Sequence, residues 1–265
     1  MIGGFAMNIY TTQLRKLFCR TDVKWILLAF TVLPFGIAAL IFAESGIVQI
    51  GNSVFTAMGY SSVVVGLLNS LLLISVTVAL ATTSLVSKEI DTGLDGMYVT
   101  KVRARGQILL SKMLALDVLC ATIFLVLLLS SLAGFCVFLM NSSYGMKAIA
   151  TTNFEETFTL VYTILGSFFE SLVMVRVFTL VSLLFKHSKA LVFSYMTVVG
   201  FKLLGNIEVL QRWIPSFLGA GTHLYEYKGA ELALNGVTSL GILIGYAVIL
   251  SLVNYVLYRN MDLSR

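Results

Sequence analysis

Hydrophobic residues along the chain gather in long runs separated by short polar breaks, a pattern that predicts helices throughout. In residues 8–24, Tyr10, Leu14, Leu17 and Phe18 recur at i, i+4, i+7 and i+8, one face of a helix. Arg15, Lys16 and Arg20 lie off that stripe. The segment reads as an amphipathic helix on a membrane surface, its cations toward anionic headgroups; a solvated start to the first span is the other reading. Residues 25–43 form an uncharged apolar run of 19 positions, close to the roughly 20 that a spanning helix needs. Pro34, one of two prolines, falls inside it and predicts a kink whose freed backbone groups neighbouring helices satisfy. No residue from Ser45 to Ser87 is charged, a stretch of 43 positions. That exceeds one span, so 45–53 reads as an external loop and 54–86 as a long second helix. Gly59, Gly66 and Ser70 would let that helix pack closely.

Beyond a polar stretch at 87–112, residues 113–140 predict a third span and 141–156 a second external segment. A fourth span at 157–185 contains Glu170 and Arg176. After a basic turn at 186–189 comes a short fifth span at 190–204, with Lys202 near its far end and expected to snorkel outward. Residues 205–235 mix charges with Pro215, Gly219, Gly221 and Gly229, and with apolar patches too short to cross. They read either as a partly inserted, re-entrant external hairpin or as an ordinary surface loop. The sixth span is 236–258. The expected fold is an all-α integral membrane protein of six transmembrane helices, a single domain over residues 1–265.

Composition agrees. The chain is 58% hydrophobic and 12% charged, against about 25% charged in soluble domains. Its 265 residues hold about six helices with short loops and leave no room for a separate soluble catalytic domain. The net charge of +5 fits a positive-inside bias better than nucleic-acid binding. Four Lys/Arg precede the first span, five lie in 87–112, two in 186–189 and two at the C-terminus, 13 of 18 in all. Those segments, and both termini, are therefore expected on the cytoplasmic side of the cell membrane. No small-residue cleavage site closes the first apolar run, so it reads as retained. Met7 would serve equally as a start, because residues 1–6 add nothing charged or amphipathic. Cys19, Cys120 and Cys136 show no CxxC spacing and predict neither disulfide nor zinc site.

The motifs for chemistry are missing. There is no GxxxxGK[ST], HExxH or GxSxG, so the chain has no P-loop and no recognisable hydrolase centre. His187 and His223 are the only histidines, assigned to opposite faces, which argues against a paired-histidine metal site. Nothing marks the chain as an enzyme. The intramembrane charges are the remaining candidates, since a charge at the bilayer centre costs about 2.5–3.5 kcal/mol on insertion scales. Glu170 and Arg176 are six residues apart, about 240° around a helix, and cannot pair with each other. Their partners should lie on other helices or on a second subunit, where they either line a substrate route or hold helices together. Asp117 is expected to pair with Lys112 or Arg105.

The stretch 87–112 concentrates the charge. Glu89, Asp91 and Asp95 precede Arg103 and Arg105, an order that suits the dipoles of short helices. Leu94, Met97 and Tyr98 recur at i, i+3 and i+4, an apolar knob able to seat in a groove of another protein. Taken in order, Lys88-Glu89, Asp91-Thr92-Gly93-Leu94, Met97-Tyr98-Val99, Thr100-Lys101, Arg103 to Arg105 and Ser111-Lys112-Met113-Leu114 resemble the signature that "type 2" ABC exporter permeases carry after their second helix. Tyr258-Arg259-Asn260-Met261-Asp262-Leu263 resembles that family's aromatic-basic-Asp-Leu ending. With the amphipathic start, the six spans and the hairpin, the resemblance covers nearly the whole chain. Lys101 stands where a proline is common and Ser111 where a glycine is.

The resemblance implies a coupling loop in which Glu89, Asp91, Gly93, Leu94, Met97, Tyr98, Arg103 and Arg105 meet a cytoplasmic ABC ATPase subunit. ATP and Mg would bind that partner, and this chain would hold no cofactor. It further implies a second permease subunit, identical or not, with the route between the two, embedded in the bilayer and without nucleic acid. Few fixed charges in the spans favour an amphipathic or hydrophobic cargo such as an antimicrobial or toxic peptide, a drug or a lipid-like molecule. The alternative from another class is a membrane scaffold that recruits a cytoplasmic partner through the polar loop without transport.

Overall fold

The computed structural model describes residues 2–43, 54–92 and 105–261. In chain order the helices are α1 (Ile2–Cys19), α2 (Thr21–Phe42), α3 (Ala57–Ser70), α4 (Leu73–Leu85), α5 (Ser87–Asp91) and α6 (Arg105–Gly134), which continues as a π-helical turn (Phe135–Leu139). There follow α7 (Phe154–Leu184), α8 (His187–Leu204), α9 (Glu208–Gln211), α10 (Pro215–Ala220), a 3-10 turn (Thr222–Glu226) and α11 (Gly229–Asn260). Sheet structure among the described residues is limited to one isolated bridge, Phe55 to Gly145. The protein is thus all-α, and five of the described helical stretches are long and apolar enough to cross a membrane. α8, expected as a span over 190–204, has 18 residues and is not one of the five.

α7 is the hub. It packs against α3, α4, α6, α8, α10 and α11, while α2 and α11 keep most of their surface on the outside of the bundle. Its limits match the expected span closely, because Asn153 caps the helix by accepting from the Glu155 amide at 3.0 Å and Glu155 and Glu156 follow in its first turn.

α1 starts six residues before the helix expected over 8–24 and ends five residues short of it. Its stripe faces protein: Leu17 is fully buried, Leu14 and Phe18 join the main core, and the helix packs along α6. The chain turns into α2 at Arg20, which is extended and pairs with Asp22 at 2.8 Å.

The proline is accommodated as expected. Pro34 has no N–H, so the carbonyl one turn back, Phe30, loses its usual donor. Ser130 of α6 donates to that oxygen at 3.3 Å, and the Tyr60 hydroxyl of α3 donates to the carbonyl of Pro34 itself. Gly134 of α6 packs on the same turn at ordinary van der Waals distance, a Cβ there standing 3.5 Å from Pro34 O.

The long second helix expected over 54–86 is divided. α3 stops at Ser70, and Leu72 adopts a left-handed conformation, φ 62°, before α4 begins. A leucine held there costs about 1–2 kcal/mol, and nothing in the run Leu71-Leu72-Leu73 announces it. α6 begins at Arg105, eight residues before the expected third span, so Ser111 and Lys112 lie inside it. At Gly106 a Cβ would overlap the Tyr255 ring, so the glycine lets α11 lie against the first turn of α6. α11 likewise starts at Gly229, seven residues earlier than expected.

Candidate functional site

Three polar clusters sit in otherwise apolar packing. The first gathers around α5. Glu89 is bridged by Lys112 of α6 at 3.0 Å and by Lys16 of α1 at 3.4 Å, with the Lys112 side chain only 1% exposed. Asp91 turns the other way, its Oδ2 accepting from the His187 amide at the first residue of α8, 2.7 Å away. Ser87 donates to the Phe185 carbonyl at 3.1 Å in the turn before that helix. Val86, Leu109, Met113, Leu183 and Tyr258 form a small apolar core at the same end. Glu89 and Asp91, expected to face an ATPase, are therefore bonded within their own chain, Glu89 through Lys112, whose burial demands a counter-charge. Arg105 opens α6. Gly93, Leu94, Met97, Tyr98 and Arg103, the rest of the expected coupling loop, lie outside the described residues.

The second cluster joins α6, α7 and α11. Arg176 meets Asp117 with both forks, Nη1 to Oδ1 at 2.8 Å and Nη2 to Oδ2 at 2.6 Å, and its Nε donates to Ser251 at 2.7 Å. Asn254 donates to the Arg176 carbonyl at 2.8 Å. A planar guanidinium with all three edges occupied is the arrangement that lets arginine sit among apolar side chains. Asp117 is thus the partner of Arg176, not of Lys112 or Arg105. Lys112 is taken by Glu89, and Asp117 lies 12 residues into α6, about 18 Å from its start. Arg176 also lines a groove of about 260 Å³ between α7 and α11, with Phe169, Leu172, Ile244 and Val248. Leu252 belongs both to this groove and to a larger apolar one of about 610 Å³ bounded by Leu183, Val256 and Leu257.

The third cluster centres on Glu170, whose side chain is 1% exposed. It lies 16 residues from the first residue of α7 and 14 from the last, about 24 and 21 Å, hence near the middle of the helix. Asn69 of α3 donates to its Oε2 at 2.8 Å, and the Lys202 ammonium of α8 stands 3.9 Å from Oε1. Lys202 turns inward to this carboxylate rather than snorkelling outward, because an unpaired carboxylate at that depth costs more than a bent lysine stem. Oε1 has no hydrogen bond among the described residues. On the remaining side lies α10: a Cβ on Gly219 would meet both Glu170 Cβ and Oε2 at 2.6 Å, and one on Gly166 would meet the Gly219 carbonyl at 2.5 Å. The Tyr162 hydroxyl donates to the Leu218 carbonyl at 2.8 Å, fixing the same contact. Residues 215–220 therefore pack against the middle of α7.

Sequence reasoning named Glu170, Arg176 and Asp117 but missed Lys16, Asn69, Ser251 and Asn254. The two asparagines were detectable, since a lone Asn in an apolar run pays a desolvation penalty and normally bonds to another helix. Lys16 and Ser251 carried no such signal. The chain matches no protein-family model and no curated protein, so its reading rests on its own residues and geometry.

Proposed function

We propose that the chain is the membrane subunit of an ATP-driven ABC exporter, moving an amphipathic or hydrophobic substrate out of the cytoplasm on energy from a separate ATPase chain. A second permease subunit completes the assembly in the cell membrane. In this reading α8 is the fifth of six spans, the 205–228 segment is a re-entrant external hairpin, and both termini are cytoplasmic. ATP and Mg belong to the partner.

The observation that carries the reading is the α5 cluster. Three of the five residues of α5, Ser87, Glu89 and Asp91, are bonded to α1, to α6 and to the turn between α7 and α8. A push on the adjoining stretch 93–104 reaches four helices at once. Transport needs such a link, because a partner shifts a membrane protein between two states only through contacts that differ between them. A recruiting scaffold has no use for it. The grooves that meet at Leu252, apolar apart from Arg176, Ser251 and Asn260, suit a cargo that is mostly hydrophobic.

The test is purification of the chain from its native membrane with whatever ATPase subunit accompanies it. Hydrolysis is expected to depend on the α5 region, so charge reversal at Glu89, Asp91 and Arg105 uncouples it from export; hydrolysis and export left unchanged refute the coupling role. A Glu89→Lys/Lys112→Glu swap serves as the folding control. A partner that copurifies but lacks ATPase activity favours the scaffold. Glu170→Gln keeps the acceptor for Asn69 and removes the charge opposite Lys202. It is expected to alter export or its substrate dependence more than assembly, and unchanged export leaves Glu170 as interhelical glue.

A further inference from the structure

We infer that α8 is a rigid strut that carries displacement of α5 to the hairpin, and that Asp91 is the positioning residue clamping its lower end. The inference rests on reading 87–112 as the point of energy input, and it deepens that reading by naming the path.

Both ends of α8 are tied by polar contacts, while its middle packs on α4 and α7 through apolar contacts. At the lower end, Asp91 accepts the His187 amide and Ser87 reaches the Phe185 carbonyl, so α5 holds the start of the helix by two side chains. A carboxylate at a helix N-terminus also gains from the helix dipole. At the upper end, Ser216 of α10 donates to the Phe201 carbonyl at 3.0 Å, and Lys202 faces Glu170. Between them the described buried residues of α8 are Ala190, Ser194 and Val198, a single line of small side chains at i, i+4 and i+8. The Ser194 hydroxyl is buried with no hydrogen bond among the described residues, so no polar bond of its own pins the middle. Val192, Phe193, Tyr195 and Met196 on the other faces are exposed.

A helix of 18 residues is about 27 Å long and moves as one body over that distance. Small side chains along one line interdigitate little with neighbours, so sliding or tilting disturbs few packed contacts. The weakest tie is then at the top. At 3.9 Å, Lys202 and Glu170 are paired by charge without a hydrogen bond, whereas the Asp91 contact at 2.7 Å is charge-assisted and short. A shift of α5 takes the lower end along and strains the upper contacts first. Because α10 rests on Glu170 through Gly219, releasing Lys202 and Ser216 removes the α8 side of the hairpin's seat and leaves it held to α7 by the Tyr162–Leu218 bond and the Gly166–Gly219 contact alone.

The experiment uses the full chain in nanodiscs without any ATPase and reads amide hydrogen exchange. Asp91→Ala is expected to speed exchange across 215–226 by about fivefold, the equivalent of about 1 kcal/mol of local opening. Asp91→Asn keeps an acceptor oxygen and should restore most of the protection. Ser216→Ala should open the same hairpin from the top and leave little further response to Asp91→Ala. An increase confined to 185–192, or one shared equally by α4, α6 and α7, overturns the inference. If that happens while the ATPase still copurifies and couples, energy enters through α5 but travels by another helix.

Discussion

Replacing Arg176 alone by leucine is expected to destabilise the protein by about 3–5 kcal/mol, and so is replacing Asp117 alone, while the Asp117→Leu/Arg176→Leu double variant loses far less. The asymmetry follows from what each change leaves behind. Without Arg176, a carboxylate about 18 Å along α6 has lost its only ion-pair partner among the described residues. Without Asp117, a guanidinium only 10% exposed keeps a single side-chain bond, to Ser251. With both gone, no charge remains to be compensated. Ser251 still donates to the Ala247 carbonyl at 2.6 Å, and Asn254 still reaches the backbone of residue 176. Denaturant unfolding in bicelles reads all four proteins of the cycle. A coupling energy above about 2 kcal/mol is the expected result, and additive losses would show that the pair is not coupled. The double variant then separates the two roles left open by the sequence: if it folds but no longer exports, the pair serves the route, and if it exports, the pair only joins helices.

The second large effect is expected at the contact between α7 and α10. Gly219→Val and Gly166→Val each force atoms into space already filled, at 2.6 Å from Glu170 and 2.5 Å from the Gly219 carbonyl respectively. Backbone stands in the way at Gly166, so the hairpin must lift rather than a side chain rotate. Overpacking of this kind costs about 1–3 kcal/mol, and the two substitutions should not add, because each relieves the clash by the same movement. The Tyr162 bond to Leu218 breaks with it. Gly200→Ala and Gly241→Ala are the controls: nothing lies within 4 Å of a Cβ at either position, and alanine is the better helix former. Those variants are expected to match or exceed the parent in stability, whereas equal losses at all four sites would dissolve the claim that residues 215–220 are seated on α7.

Much of the helical framework was legible because apolar runs are long and their polar borders are clear. α7 was placed within three residues at its start and one at its end for that reason. Borders that fall inside apolar sequence were not: no glycine or proline marks Leu72, and its turn is set by what surrounds it. The opposite error moved the start of α6. Residues 105–112 look solvated because they are charged, yet Lys112 is buried once Glu89 neutralises it. Pairings between distant residues are invisible to periodicity, so 59 positions separate Asp117 from the arginine it binds. The charges of 87–112 were read as facing outward to a partner. In the folded chain Glu89 and Asp91 bind α6, α1 and α8.

The lengths of α7 and α11 have a consequence for the surrounding lipid. With 31 and 32 residues they extend about 46–48 Å, against a hydrocarbon core of about 30 Å. A helix that long runs on through the headgroup layer, and any part of its apolar stretch that exceeds the core is met by tilt or local thickening, at a cost of fractions of a kcal/mol per ångström of mismatch. Tilt changes the angle at which α7 meets α8 and α10, the contacts that Glu170 and Gly219 make. Acyl-chain length is therefore expected to load the hairpin, so that amide exchange across 215–226 differs between thin and thick membranes.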